Sequence, residues 1–427
     1  MVAVPPDRLR WQVRWRRMLS VFCSRSRPSA CVLQDAAALR SEIIPAADQS
    51  ARYLHGRVRR DGSFVYRIDA ISGREDDKRY NVLRHAGSLL ALAQHARAVG
   101  IAEGDAGRLT RSARFLADHC IRAPQAMPDL LAVWSDPKLT GGRRTRPIAK
   151  LGGSGLVLAA LVELDTLRQE TADHGLAAVL PIDALRALGE FVLFMQRADG
   201  SFQSLFSDLE RSEERAWTSL YYPGEAALGL IMLYEHDPDL RWLQAAVRAL
   251  HYLAVSRAGR SPPPDHWALI ATARLFEHPE EALQAGVPER TRWRSESGRV
   301  GVQDVLVGHS EALVRTILSE QSLIARGGCP AGWFGPEPRI APTATRLEGL
   351  LAATRLPLST LLIQRTLPAI SAGLRFLLDG QVQSGPAAGG FTRTSLACAH
   401  VDDRRAAEVR IDYVQHALAA FRLYLRR

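Results

Sequence analysis

Phe191-Val192-Leu193-Phe194-Met195-Gln196-Arg197-Ala198-Asp199-Gly200-Ser201-Phe202 is the stretch whose reading settles the architecture. Its first half has the spacing of a helix end. Its second half is a turn: glycine after aspartate accepts the positive φ that stops a helix, and the phenylalanine can fold back as a plug. Two looser copies exist. Arg52-Tyr53-Leu54 leads to Asp61-Gly62-Ser63-Phe64, and Phe376 to Gln381 leads to Gly389-Gly390-Phe391. A recurring helix end of this kind marks a chain assembled from repeated hairpins.

Each such turn precedes a second kind of helix, one that opens on polar or aromatic residues and continues with small apolar ones. The openings are Tyr80 to Gly87, Lys150 to Gly153, Tyr221 to Glu225, Asp265 to Trp267, Thr345 to Glu348 and Arg410 to Tyr413. Between them the amphipathic period predicts outer helices near 43–58, 107–122, 181–197, 239–256, 303–325 and 360–379. Six outer and six inner helices alternate, and no useful stretch alternates with period two. The expected fold is all-α, an (α/α)6 toroid of six helical hairpins over residues 36–427, behind a short, weakly structured basic N-terminal extension at 1–35. Gly152-Gly153-Ser154-Gly155 lies inside an apolar helix with no strand before it, so it reads as close helix packing rather than a phosphate loop.

Composition narrows the class. At 47% hydrophobic and 23% charged, the 427 residues are those of a globular protein. The net charge of +10 invites a nucleic-acid partner. However, only Lys78, Lys138 and Lys150 are lysines among the 55 basic residues, and the arginines are scattered rather than gathered in a stripe, which argues against one. What survives is a mildly positive field, suited to an anionic small molecule. No apolar run reaches the roughly 18 residues a membrane span needs. The five cysteines (Cys23, Cys31, Cys120, Cys329, Cys398) are odd in number and lack CxxC spacing, which predicts free thiols and a cytoplasmic setting. Arg8 to Arg17 precede an apolar stretch, Met18 to Cys23, too short for a secretory signal.

The Gln196 to Phe202 segment, its copies and the Tyr222-Pro223-Gly224-Glu225 helix start resemble the six-hairpin toroid group. That group comprises glycoside hydrolases, polysaccharide lyases, sugar epimerases and isoprenoid cyclases. The segment is similar to the QW motif of triterpene cyclases with Phe in place of Trp, a structural motif that speaks of fold and not of reaction. The resemblance spans roughly residues 40–427 and implies that the first turns of the inner helices line a common pocket.

Reactive groups stand at those first turns in hairpin after hairpin. Glu225, Asp265 and Asp412 are acid/base candidates, and His85 and Tyr222 are proton-transfer candidates. Arg84, Tyr80, Lys150, His266, Trp267, Arg346, Glu348, Arg410 and His416 are candidate substrate contacts, the arginines suiting an anionic sugar. Each has a blander reading: Arg84 with a carboxylate is an ordinary ion pair, a lone histidine is more often a satisfied core residue, and Tyr222 or Trp267 can simply pack. Convergence at one mouth carries the argument, because charge within small-apolar helices is costly unless paired or solvated.

The function expected is a carbohydrate-active enzyme of hydrolase, lyase or epimerase type, without a cofactor, acting on a small or oligosaccharide substrate. Other enzyme classes on the same ring are an isoprenoid cyclase or prenyltransferase, for which the acidic and aromatic content is poor, and a zinc-dependent lanthionine-cyclase-like enzyme, for which Cys329, Cys398 and His400 would be ligands. A non-catalytic binding toroid is the third class. Walker, HExxH and Gly-x-Ser-x-Gly patterns are missing.

Overall fold

The computed structural model describes residues 30–76, 79–141, 145–171, 175–209, 217–278, 294–295, 298–299, 301–324, 329–395, 398, 403 and 405–427. The chain divides into two compact units, Met1–Glu42 and Ile43–Arg427, and the helical ring belongs to the second. The extension expected at 1–35 lies almost wholly outside the described residues.

Among the described residues, twelve long helices alternate as expected. The odd-numbered ones are outer: α1 (Ala30–Gly56, whose part from Ile43 onward belongs to the ring unit), α3 (Asp105–Cys120), α5 (Ile182–Phe194), α7 (Leu240–Ser256), α9 (Val302–Ser319) and α11 (Thr360–Asp379). The even-numbered ones are inner: α2 (Val82–Val99), α4 (Leu151–Glu170), α6 (Tyr222–His236), α8 (His266–Leu275), α10 (Ile340–Ala353) and α12 (Ile411–Leu425). Each inner helix packs on the next, α2 on α4, then α6, α8, α10 and α12, and α12 packs back on α2. The ring is closed. α10 begins at Ile340, a turn and a half before the predicted Thr345, so Arg346 and Glu348 lie in its second and third turns.

Sequence explains the two layers. Inner α4 is buried from Leu151 to Leu164, because neighbours cover both its flanks. Small residues let these helices approach closely: a Cβ on Gly155 would lie 2.6 Å from the Ala226 Cα, and one on Gly229 would lie 2.5 Å from the Gly155 carbonyl oxygen. The glycine cluster at 152–155 is thus a packing device, as its setting predicted. Outer α7 buries one face, including Trp242, Leu243, Val247 and Leu250, and is capped by Asp239, whose side chain accepts from the Arg241 N–H at 2.9 Å.

Among the described residues the helix-end turn occurs four times, not three. Residues bridge at Val58–Phe64, Gln196–Phe202, Gln321–Phe334 and Gln381–Phe391. Where glutamine is present, its amide ties its turn to the next outer helix. Gln196 Nε2 donates to Ala245 O on α7 (2.9 Å), Gln321 to Ala369 O on α11 (2.8 Å), and Gln381 to Ala46 O on α1 (2.9 Å). The last of these joins the final outer helix to the first.

Short strands of two to four residues connect the layers. β2 (Ile121–Arg122), β3 (Ala132–Ser135), β4 (Ile148–Lys150) and β5 (Leu205–Phe206) form one antiparallel sheet in that order. β1 (Arg67–Asp69) pairs with β8 (Glu408–Arg410), Arg67 opposite Arg410, a second seam between the two ends of the ring. β6 (Arg294–Ser295) and β7 (Gly298–Arg299) make a separate hairpin.

Two sequence expectations fail here. Cys329 and Cys398 are joined by a disulfide with Cα atoms 4.8 Å apart, so they are not free thiols, and as a bonded pair they are not the two thiolates of a zinc site. His400, the third proposed ligand, lies outside the described residues. One helix, α11, is long and apolar enough to cross a membrane by length and composition alone; in the structure it contains Pro368 and serves as an outer helix of the ring.

Candidate active site

The inner helices present their N-terminal turns to one end of the ring, and there the structure sorts the predicted residues into two sets. The first set meets inside. His266, the first residue of α8, and His416, on the second turn of α12, bring their rings to 5.7 Å between centroids at 77°. α8 and α12 are not neighbours, since α10 stands between them, so the contact can only be made through the interior. His416 Nδ1 lies 2.6 Å from Glu348 Oε1 of α10. Trp267 is 5.0 Å from the His266 ring and 6.4 Å from that of His416. The Tyr221 ring stacks edge-on against His266 at 5.1 Å.

Within this cluster His266 is buried and His416 and Tyr221 are half-buried. His266 is 3% exposed, and both of its ring nitrogens lack a hydrogen-bond partner among the described residues. Its pKa is driven well below the usual histidine value by burial, then by the charges of His416 and Arg346, so it is neutral. Burial raises Glu348 above the ordinary carboxylate range, against the opposing pull of His416. A carboxyl on Nδ1 leaves Nε2 as the nitrogen of His416 available for chemistry.

Beside it stands an arginine–carboxylate knot. Arg410 donates to both oxygens of Asp412 (2.6 and 2.8 Å), and Arg84 Nε lies 3.1 Å from Asp412 Oδ2. Arg84 also bonds the Tyr66 hydroxyl. Burial would raise the Asp412 carboxyl, but Arg84 and then Arg410 outweigh it and hold it below its ordinary value. Arg346 is likewise engaged, its Nε donating to Glu320 Oε2 at 2.9 Å.

In the second set His85, Tyr80 and Asp265 are engaged elsewhere, contrary to expectation. His85 is fully buried between α2 and α3: Nε2–H donates to Ser112 O (2.9 Å), Nδ1 accepts from the Tyr80 hydroxyl (2.7 Å), and the ring stacks on Phe115. Burial pushes its pKa down to about 3. Tyr80 also accepts from the Phe64 N–H of the first helix-end turn (2.9 Å). Both residues hold the hairpin together instead of transferring protons. Asp265 is the N-cap of α8, accepting from Ala268 N–H (3.0 Å) and from Arg257 of the outer layer (3.0 Å), with no exposure. Lys150 is the N-cap of α4 and is half-buried, and Tyr222 lies 5.7 Å from Trp217 at the head of α6.

Glu225 is a case apart. It lies over Gly152 of α4, is 5% exposed, and its Oε2 has no partner among the described residues. A cavity of about 400 Å³, lined among others by Arg197, Phe202, Ser219, Pro223 and Tyr252, lies on the far side of α6 from this face and contains neither interior histidine. Sequence reading left Tyr221 between a packing and a sugar-stacking residue, and did not place Tyr66 or Glu320 in the site. Tyr221 stands one residue outside its helix, and the other two are distant in sequence from the side chains they bond.

No family model matches the sequence, and no curated protein matches it either. Solved structures do match its fold. The chain superimposes on cellobiose 2-epimerase from Spirochaeta thermophila with a TM-score of 0.61 at 15% identity, covering 93% of this chain and 99% of that one. It superimposes on a D-mannose isomerase at 0.56 and 11% identity, covering 94% and 100%. It also superimposes on the GH76 α-mannanase of Bacteroides thetaiotaomicron at 0.53 and 8%, covering 90% and 95%. The fold is that of the six-hairpin toroids. At these identities the likeness establishes architecture, and the chemistry must be argued from the side chains.

Proposed function

We propose that the chain is a carbohydrate isomerase or epimerase in which His266 and His416 form an acid/base pair. The observation that carries this reading is the meeting of the two imidazoles through the ring interior, past the intervening helix. One neutral imidazole removes the proton from the carbon beside the carbonyl of an open-chain sugar, becoming imidazolium and leaving an enediolate. The second, as imidazolium, protonates that intermediate and is left neutral, at the neighbouring carbon for an isomerase or on the opposite face of the same carbon for an epimerase. Glu348 orients His416, while Trp267 and Tyr221 supply flat apolar surface for a sugar ring.

Glycoside hydrolysis needs two carboxyl groups available to the scissile bond. Here Asp412 is tied to Arg84 and Arg410, Asp265 to Arg257, and Glu348 to His416, which favours the histidine chemistry. Because Arg84, Arg346 and Arg410 each already bond a carboxylate of the chain, the arrangement also favours an uncharged sugar over the anionic one that composition suggested. Two of the similar structures, a cellobiose 2-epimerase and a mannose isomerase, are named for reactions of this class.

The test is incubation with neutral reducing sugars in deuterium oxide, followed by NMR. Epimer or isomer carrying deuterium at the reacting carbon is expected, with loss of at least a thousandfold in His266→Asn and His416→Asn. Release of new reducing ends from a glycan, unaffected by either substitution, would overturn the reading.

A further inference from the structure

Glu225 has features that the acid/base pair does not use. It occupies the fourth position of α6, and its backbone N–H bonds the carbonyl of Tyr221 at 3.0 Å, so its Cα lies one turn below the residue that packs on His266. A Cβ on Gly152 would fall 1.9 Å from Glu225 Oε2 and 2.4 Å from Tyr222 Cδ1; glycine in α4 is what makes room for this carboxyl. The oxygen so accommodated has no hydrogen-bond partner among the described residues, and no cation pairs with it there. A buried carboxylate without a cation is among the most costly groups a protein can hold, whereas a carboxylic acid with an unused O–H is a donor awaiting an acceptor.

We propose that Glu225 serves as an uncharged hydrogen-bond donor to an oxygen of the sugar, and so helps select neutral substrates. Among the described residues, no titratable group on the surrounding elements bonds its Oε2. Tyr222 is on its own helix, Lys150 heads α4, and Asp265 and His266 head α8. The Arg257 charge at the end of α7 is engaged by Asp265 at 3.0 Å. Burial, with a smaller push from Asp265, raises the Glu225 pKa to about 8. An anionic Glu225 would repel an acidic sugar and lack the donor a neutral one requires; a protonated Glu225 supplies the donor.

This inference rests on the proposed sugar chemistry, and the experiment separates the two. Kinetics are measured from pH 6 to 9.5 on the whole protein, wild type, Glu225→Gln and Glu225→Ala, with whichever neutral sugar turns over. The wild-type KM is expected to rise about tenfold per unit above about pH 8. Glu225→Gln, which keeps an N–H donor, raises KM less than about threefold over the wild-type value at pH 7 and removes the alkaline limb, while Glu225→Ala raises KM roughly tenfold to a hundredfold over that value and also lacks the limb. A glutamine variant as impaired as the alanine one, or one that keeps the alkaline limb, overturns the proposal. Infrared difference spectra of wild type minus Glu225→Gln at pH 7 need no turnover. A protonated-carboxyl band is expected, and its absence overturns the proposal even if no sugar is ever converted.

Discussion

Two glycines in the last helix-end turn offer a controlled test of how the ring is held. Gly385 and Gly389 have almost the same backbone, φ +80° and +82°. A Cβ on Gly385 meets nothing within 4 Å, whereas one on Gly389 would lie 2.3 Å from the Gln49 carbonyl oxygen of α1, well inside the 3.4 Å at which ordinary contact begins. Substitution by alanine charges both positions the left-handed backbone penalty, about 1–2 kcal/mol. At Gly389 alone, the turn must also withdraw by about 1 Å, and overpacking of that kind costs about 1–3 kcal/mol. The withdrawal stretches the bonds from Gln381 Nε2 to Ala46 O and Ser50 Oγ, 2.9 and 3.0 Å, each worth about 1 kcal/mol. Gly385→Ala should therefore lose about 1–2 kcal/mol and Gly389→Ala about 3–6 kcal/mol, read as midpoint shifts at unchanged slope in urea unfolding. Equal losses at the two sites would refute the view that the turn bears on α1.

Two further outcomes follow from the same structure. Gln381→Leu, which leaves the backbone untouched but deletes the amide, should cost about 1–3 kcal/mol in the same assay, and a neutral result would remove the amide from the closure. His85→Ala should lower stability by about 3–5 kcal/mol by opening a cavity against Phe64 and Phe115, while kcat stays within a few-fold when measured below the new melting temperature. A thousandfold loss in kcat from a folded His85→Ala would return that residue to the catalytic set.

The hairpin count was legible because its signals are local. Asp199-Gly200-Ser201-Phe202 carries its own turn chemistry, Asp199 Oδ1 accepting from the Ser201 N–H (2.9 Å) and hydroxyl (2.7 Å), and small residues advertise the inner layer. The fourth turn escaped because Gln321 and Phe334 are thirteen positions apart where Gln196 and Phe202 are six, so no fixed spacing finds it. The site was legible only as a pool. His85 and His416 each lie in the early turns of an inner helix, and helix phase alone sends one toward α3 and the other into the interior. Phase is fixed by packing, here by Ser112 and Phe115 on one side and Glu348 on the other. Asp265 looked like a catalytic acid and is a helix cap, since aspartate serves both ends equally well in a sequence. The Cys329–Cys398 pairing was hidden by a sequence separation of 69.

The two seams, Gln381 on Ala46 and β1 on β8, have a consequence for synthesis. Both join an early-translated part of the ring to a late-translated one. Until the final strand and helix emerge, α2 lacks its partner α12 and the wall of the nascent ring stands open along its whole height. Gly87 of α2 must wait there for Gln415 of α12, which abuts it in the finished ring, so a translational pause or premature stop in the last hairpin leaves a long unsealed arc for chaperones to guard.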